Sequence, residues 1–91
     1  MRYRATARFD RSLARLDPSR KARVTASIDQ LVAGFETGQL PAGVGMKQLR
    51  PGLWEFRAGL SDRVVFSRTA DLVAFLLVGT HDEIKRFLRD R

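Results

Sequence analysis

Cysteine is absent from the 91 residues, which excludes disulfide bridges, thiolate metal sites and a cysteine nucleophile. A single histidine, His81, excludes a multi-histidine zinc site. No apolar run approaches the roughly 18–20 residues that a membrane-spanning helix needs. The longest, Leu72 to Val78, has the length of a strand. Arginine interrupts the first eight residues too often for the apolar region of a signal peptide, so the expected location is the cytoplasm. Acidic residues are few, 10 against 17 basic ones, for a formal net charge of +7. Lysine is scarcer still: Lys21, Lys47 and Lys85 are the only ones, and arginine carries the remaining positive charge.

Hydrophobic residues make up 44% of the chain, enough for one packed core in a chain of this size. A single domain over residues 1–91 is expected, with neither metal nor cofactor. The positive excess is shared between the two halves, with no basic tail. Such a surface attracts polyanions: nucleic acid, the ribosome, anionic lipid or an acidic protein.

From Arg2 to Phe9 the chain alternates strictly. Tyr3, Ala5, Ala7 and Phe9 share one parity, and Arg2, Arg4, Thr6 and Arg8 the other, which predicts a half-buried strand. A short helix is expected from Arg11 to Leu16. Asp17-Pro18 then gives an N-cap and a first-turn proline for a second helix. Its apolar stripe is Val24, Ile28, Leu31, Val32 and Phe35, and Gly34, Gly38, Pro41, Gly43 and Gly45 mark its end and a loop. Four strands follow: Met46 to Arg50, Leu53 to Arg57, Arg63 to Arg68 and Leu72 to Val78, with turns at Pro51-Gly52 and at 69–71. Thr80-His81-Asp82-Glu83 fits a capping box that opens a last helix with Ile84, Phe87 and Leu88 as its apolar face. The order predicts an α+β fold: an N-terminal strand and helical hairpin packed on a mostly antiparallel sheet, with a short C-terminal helix. The helices are expected on one face of that sheet.

If Leu60 sits near the middle of its hairpin loop, Phe56 faces Val64, and Arg57 lies opposite Arg63 with Glu55 one step along the same face. Like charges directly opposite on a sheet are unfavourable. Two arginines there suit an anion held between guanidinium forks; the alternative is that they splay into solvent or are neutralised by Glu55. His81, just past the last strand, carries the side chain suited to proton transfer near neutral pH. Held by the cap, it is equally an ordinary first-turn residue. Lys47 shares parity with Leu49 and belongs at a sheet edge or snorkels outward. Trp54, paired in parity with Phe56, reads as core and not as a base-stacking platform.

These segments resemble a known family. Met46-Lys47-Gln48-Leu49-Arg50-Pro51-Gly52-Leu53-Trp54-Glu55-Phe56-Arg57, then Asp62-Arg63-Val64-Val65-Phe66, then Val78-Gly79-Thr80-His81, look like the RelE/ParE toxin superfamily. The likeness covers essentially the whole chain. It implies a type II toxin neutralised by a cognate antitoxin, an acidic or amphipathic segment that masks the basic surface. RelE-type members are ribosome-dependent, metal-independent endoribonucleases that cut mRNA: the 2′-hydroxyl attacks the adjacent phosphate and leaves a cyclic phosphate. By position the resemblance assigns Arg63 to the scissile phosphate, Arg57 to a basic position on the preceding strand, and His81 to acid or base, with Glu55 as second-choice base. Lys47, Arg50, Arg68 and Lys85 become candidates for RNA contacts. The chain departs from the pattern in having Phe87 where several ribonuclease members carry a C-terminal tyrosine, and Glu55 where the best-known member has lysine. ParE-type members share the fold and poison DNA gyrase, and a catalytically inactive antitoxin-binding module is the other alternative.

Overall fold

A computed structural model describes residues 1–40 and 42–90; Pro41, one of the expected loop markers, lies outside them. Strand β1 (Arg2–Ala5) leads into helices α1 (Ala7–Ala14) and α2 (Pro18–Thr37). Strands β2 (Lys47–Arg50), β3 (Leu53–Arg57), β4 (Arg63–Arg68) and β5 (Leu72–Gly79) follow, and α3 (His81–Arg89) closes the chain. The sheet order is β1-β5-β4-β3-β2, with β1 parallel to β5 and every other pair antiparallel. This is the α+β arrangement expected. Among the described residues no helix is long and apolar enough to cross a membrane.

The first strand is shorter than its alternation predicts, because Thr6 stops it. The Thr6 hydroxyl accepts the Phe9 N–H as N-cap of α1 and donates to the Phe75 carbonyl, so the backbone turns helical at Ala7. The expected helix from Arg11 to Leu16 therefore begins four residues earlier and ends at Ala14. Alternation of small and apolar residues fits either state over so short a stretch, and the cap decides. Ser12 ties α1 to the sheet: its hydroxyl donates to Phe9 O and accepts from Val78 N, at 2.8 and 3.1 Å. Helix α2 starts as expected, with the Asp17 carboxylate accepting Arg20 N–H and Pro18 in the first turn. It runs through Gly34, which does not end it, to a left-handed cap at Gly38. Gly34 is instead a packing position: a Cβ there would stand 2.8 Å from Leu40 Cδ2.

Two cores flank the sheet. On one face α1 and α2 bury Phe9, Val24 and Leu31 against Phe56, Val64, Phe66, Val73 and Phe75. Phe66 is its hub, with ring centroids of Phe56, Phe35 and Phe75 at 5.9, 6.0 and 6.4 Å. The other face carries Leu53, Val65 and Leu77 beneath Ile84 and Phe87 of α3. The expectation of helices on one face thus holds for the hairpin alone. Odd-numbered residues of β3 and β4 point away from α1 and α2, and those that are apolar need the third helix as cover.

The capping box of α3 is complete. Thr80 N–H donates to Glu83 Oε1 at 2.8 Å, and the Thr80 hydroxyl accepts Glu83 N–H. The backbone hydrogen bond from Thr80 holds the Glu83 carboxyl below its ordinary value, against a smaller opposing effect of burial. Glu83 comes so close to Gly79 that a Cβ on Gly79 would meet its Oε1 at 3.1 Å.

Phe66→Ala is expected to cost about 3–5 kcal/mol in urea unfolding, a large share of the roughly 5–15 kcal/mol that holds a small domain. Because the folded pKa of Glu83 is depressed, its contribution is present above the unfolded value near 4.5 and lost as pH falls through the folded one. Between pH 6 and about pH 3, the wild type should lose more stability than Glu83→Gln, measured by thermal melting at each pH.

Candidate functional site

The β3–β4 hairpin sets the site. Its register pairs Phe56 with Val64, Trp54 with Phe66 and Glu55 with Val65, and so places Arg57 opposite Arg63. On the next strand Arg63 pairs with Gly79, two residues before His81. On the outer strand Lys47 pairs with Glu55. Lys47, Glu55, Arg57 and Arg63 therefore share the sheet face that α3 covers, at the end where α3 begins.

Two buried carboxylates hold this end together. Asp62, 4% exposed, sits in the hairpin loop, where its carbonyl accepts Ala58 N–H at 2.9 Å. Its carboxylate takes both Nε and Nη2 of Arg20 from the first turn of α2, the first at 2.9 Å. That bidentate hydrogen bonding, with the negative charge of Asp62 behind it, raises the Arg20 pKa further. The loop between the two arginines is thereby pinned to the helical hairpin. Glu55, 3% exposed, lies beneath Arg63, with Oε1 3.5 Å from Nη1. Its Oε2 is buried without a hydrogen-bond partner among the described residues. Glu55 thus offsets one of the two facing cations, while Arg57 stays exposed and Arg63 keeps 32% of its side chain accessible. By register, then, Arg57 and Arg63 face one another across β3 and β4, with Glu55 as counter-charge to Arg63, while Arg57 also borders a hollow with Ser27 and Gln30 of α2.

The remaining sequence candidates divide. His81 is exposed at the first position of α3, and Lys85 follows four residues on, along the same flank of the helix. Lys47 is exposed on the edge strand. Arg50 is occupied: its Nη2 donates to Leu88 O at 2.6 Å, closing the last turn of α3. Arg68 is not brought to this end. It shares parity with Phe66, on the helical-hairpin face, with its guanidinium 4.7 Å over the Phe35 ring. Trp54 is half-buried against the larger core, as its parity predicts. Sequence reasoning missed the Arg20–Asp62 clamp, since 42 residues separate its partners; a lone acid in an otherwise small and apolar hairpin loop is the only trace of it.

No family model matches the chain, and no curated protein matches it. Solved structures do. A chain of the DinJ–YafQ complex of E. coli is 17% identical, with a TM-score of 0.73 over 92% of this chain and 98% of that one. A chain of the RelB–RelE antitoxin–toxin complex from Methanococcus jannaschii is 14% identical, with a TM-score of 0.69 over 91% and 95%. The toxin–antitoxin complex RelBE2 from Mycobacterium tuberculosis contains a chain at 25% identity and a TM-score of 0.57, over 88% and 96%. Over about nine-tenths of its length, then, the chain has the fold of RelE-like toxins.

Proposed function

We propose that this protein is the toxin of a type II toxin–antitoxin pair, acting in the cytoplasm as a ribosome-dependent endoribonuclease on mRNA and neutralised by its cognate antitoxin. The observation that carries the reading is the Arg57–Arg63 pair across β3 and β4, with its single buried counter-charge. The fold is shared with toxins solved in complex with antitoxins, which supports the partner. Function is argued from the site, because one fold hosts several activities.

In this reaction the 2′-hydroxyl of one nucleotide attacks the phosphorus of its own 3′-phosphate. The P–O5′ bond breaks, and a 2′,3′-cyclic phosphate and a free 5′-hydroxyl result. Charge on the non-bridging oxygens rises in the transition state, and Arg63 with Arg57 supplies fixed positive charge there. His81 moves a proton, as base for the 2′-hydroxyl or as acid for the 5′-oxygen. Glu55 is better suited to orienting Arg63 than to acting as base, since its Oε1 is engaged and its Oε2 is shielded from solvent. Lys47 and Lys85, both exposed, contribute to holding the RNA.

Arg63→Ala should lower mRNA cleavage by about 100-fold or more and relieve growth arrest; because it also leaves the buried Glu55 carboxylate without its counter-charge, the same loss is expected in R63A/E55Q, which removes that charge. Induction in a bacterial host, followed by growth curves and primer-extension mapping of mRNA ends, reads both effects. Growth arrest that persists in this variant, or arrest with DNA breaks and an SOS response in place of mRNA cuts, would overturn the assignment.

A further inference from the structure

We propose that the cleft between α1 and α3 is a second anion-binding surface, which takes the phosphate backbone of structured RNA. It rests on RNA as the target class proposed above, but on different residues. Arg8, Arg11 and Arg15 are spaced three and four apart, so they stand along one face of α1 over about 10 Å of helix. Arg86 faces them from α3, and the four arginines border a hollow of about 350 Å³ floored by Leu77 and Phe87. A neighbouring hollow of about 250 Å³ shares Arg15 and Leu77 and adds Arg20. At about 100° per residue, Arg86 projects from the flank of α3 opposite His81 and Lys85. The cleft therefore opens on a different side of that helix from His81 and Lys85, and neither Arg57 nor Arg63 lines it.

The charge in the cleft is compensated only in part, four arginines standing against Glu83 and Asp90. Ion pairs among the described residues are Arg2–Asp71, Arg20–Asp62 and Arg63–Glu55, and none involves Arg8, Arg11, Arg15 or Arg86. Of the two acids that line the cleft, Glu83 accepts the Thr80 N–H and also acts electrostatically on Arg86, and Asp90 caps the end of α3 through its backbone N–H, which leaves a net excess of two positive charges. The floor decides between an RNA backbone and an acidic amphipathic peptide. Leu77 is 9% exposed and Phe87 4%, and the Arg8 guanidinium lies 4.7 Å over the Phe87 ring. Little apolar surface is left for the hydrophobic face of a peptide helix to bury. What the cleft offers is a row of guanidinium donors, and that matches charges repeated along a polynucleotide strand.

The test compares wild type, the triple variant R11Q/R15Q/R86Q and the control Arg2→Gln by fluorescence anisotropy, with an RNA duplex of about 16 base pairs as probe across a salt series. The triple variant should bind at least about tenfold more weakly, and its log Kd against log salt should be shallower by about 2–3, close to one unit per lost phosphate contact. Each single variant should lose about one unit of slope, so that the result does not depend on the triple variant alone. Arg2→Gln, at an exposed arginine paired with Asp71 and outside both sites, should bind the duplex as wild type does. Unchanged affinity and slope in the triple variant would overturn the proposal, whatever the growth assay reports for Arg63. So would a polyglutamate peptide that binds wild type through these arginines while the duplex does not. If the growth assay fails for Arg63 and the triple variant still loses the duplex, the cleavage reading falls and this surface stands.

Discussion

The register of β3 on β4 is the constraint on which the rest of this molecule depends. One backbone alignment sends Phe56, Val64 and Phe66 into the core under the helical hairpin and turns Glu55, Arg57 and Arg63 to the other face. A slip by one residue would exchange the two sets, exposing three fully buried side chains and burying two guanidinium groups. The facing arginines are unfavourable in themselves, since like charges opposite each other on a sheet repel. They are held there because burial of the alternate residues dominates and because Glu55 supplies a negative charge beneath Arg63.

Glu55 and Asp62 are the buried charged residues among the described ones, and each faces an arginine. Their environments differ. Asp62 is satisfied by a bidentate contact and serves architecture, fixing the hairpin loop to the start of α2. Glu55 has one oxygen at the long distance of 3.5 Å from Arg63 and the other without a donor. A loosely satisfied carboxylate below a partly exposed guanidinium leaves Arg63 able to turn toward an incoming anion, whereas the Arg20 head is fully committed. Arg57, Arg63 and Arg20 thus sit close along the chain topology yet do different work, and hydrogen bonding separates them.

Positive charge is also divided in space. The helix α3 carries His81 and Lys85 on one flank and Arg86 on another, where it borders the cleft with α1. Because α3 covers the second face of the sheet through Ile84 and Phe87, it keeps these two surfaces apart while leaving both open to solvent. A net charge of +7 spread evenly along the sequence is therefore not spread evenly over the fold.

Local chemistry made much of this legible in the amino-acid order. Asp17-Pro18 and Thr80 with Glu83 specify helix starts through hydrogen bonds that span three residues, and period-two patterning specified the hairpin register and the Arg57–Arg63 pairing. At Thr6 the same local reasoning failed: the alternation through Phe9 concealed an N-cap, and with it the face on which Arg8, Arg11 and Arg15 align. Whether an arginine is free or engaged lay beyond the sequence altogether. Arg50 meets Leu88, Arg68 covers Phe35 and Arg20 grips Asp62 across separations of 33 to 42 residues. Such contacts exist only once the layers have packed, so the tertiary structure alone decided which cations remain available to bind.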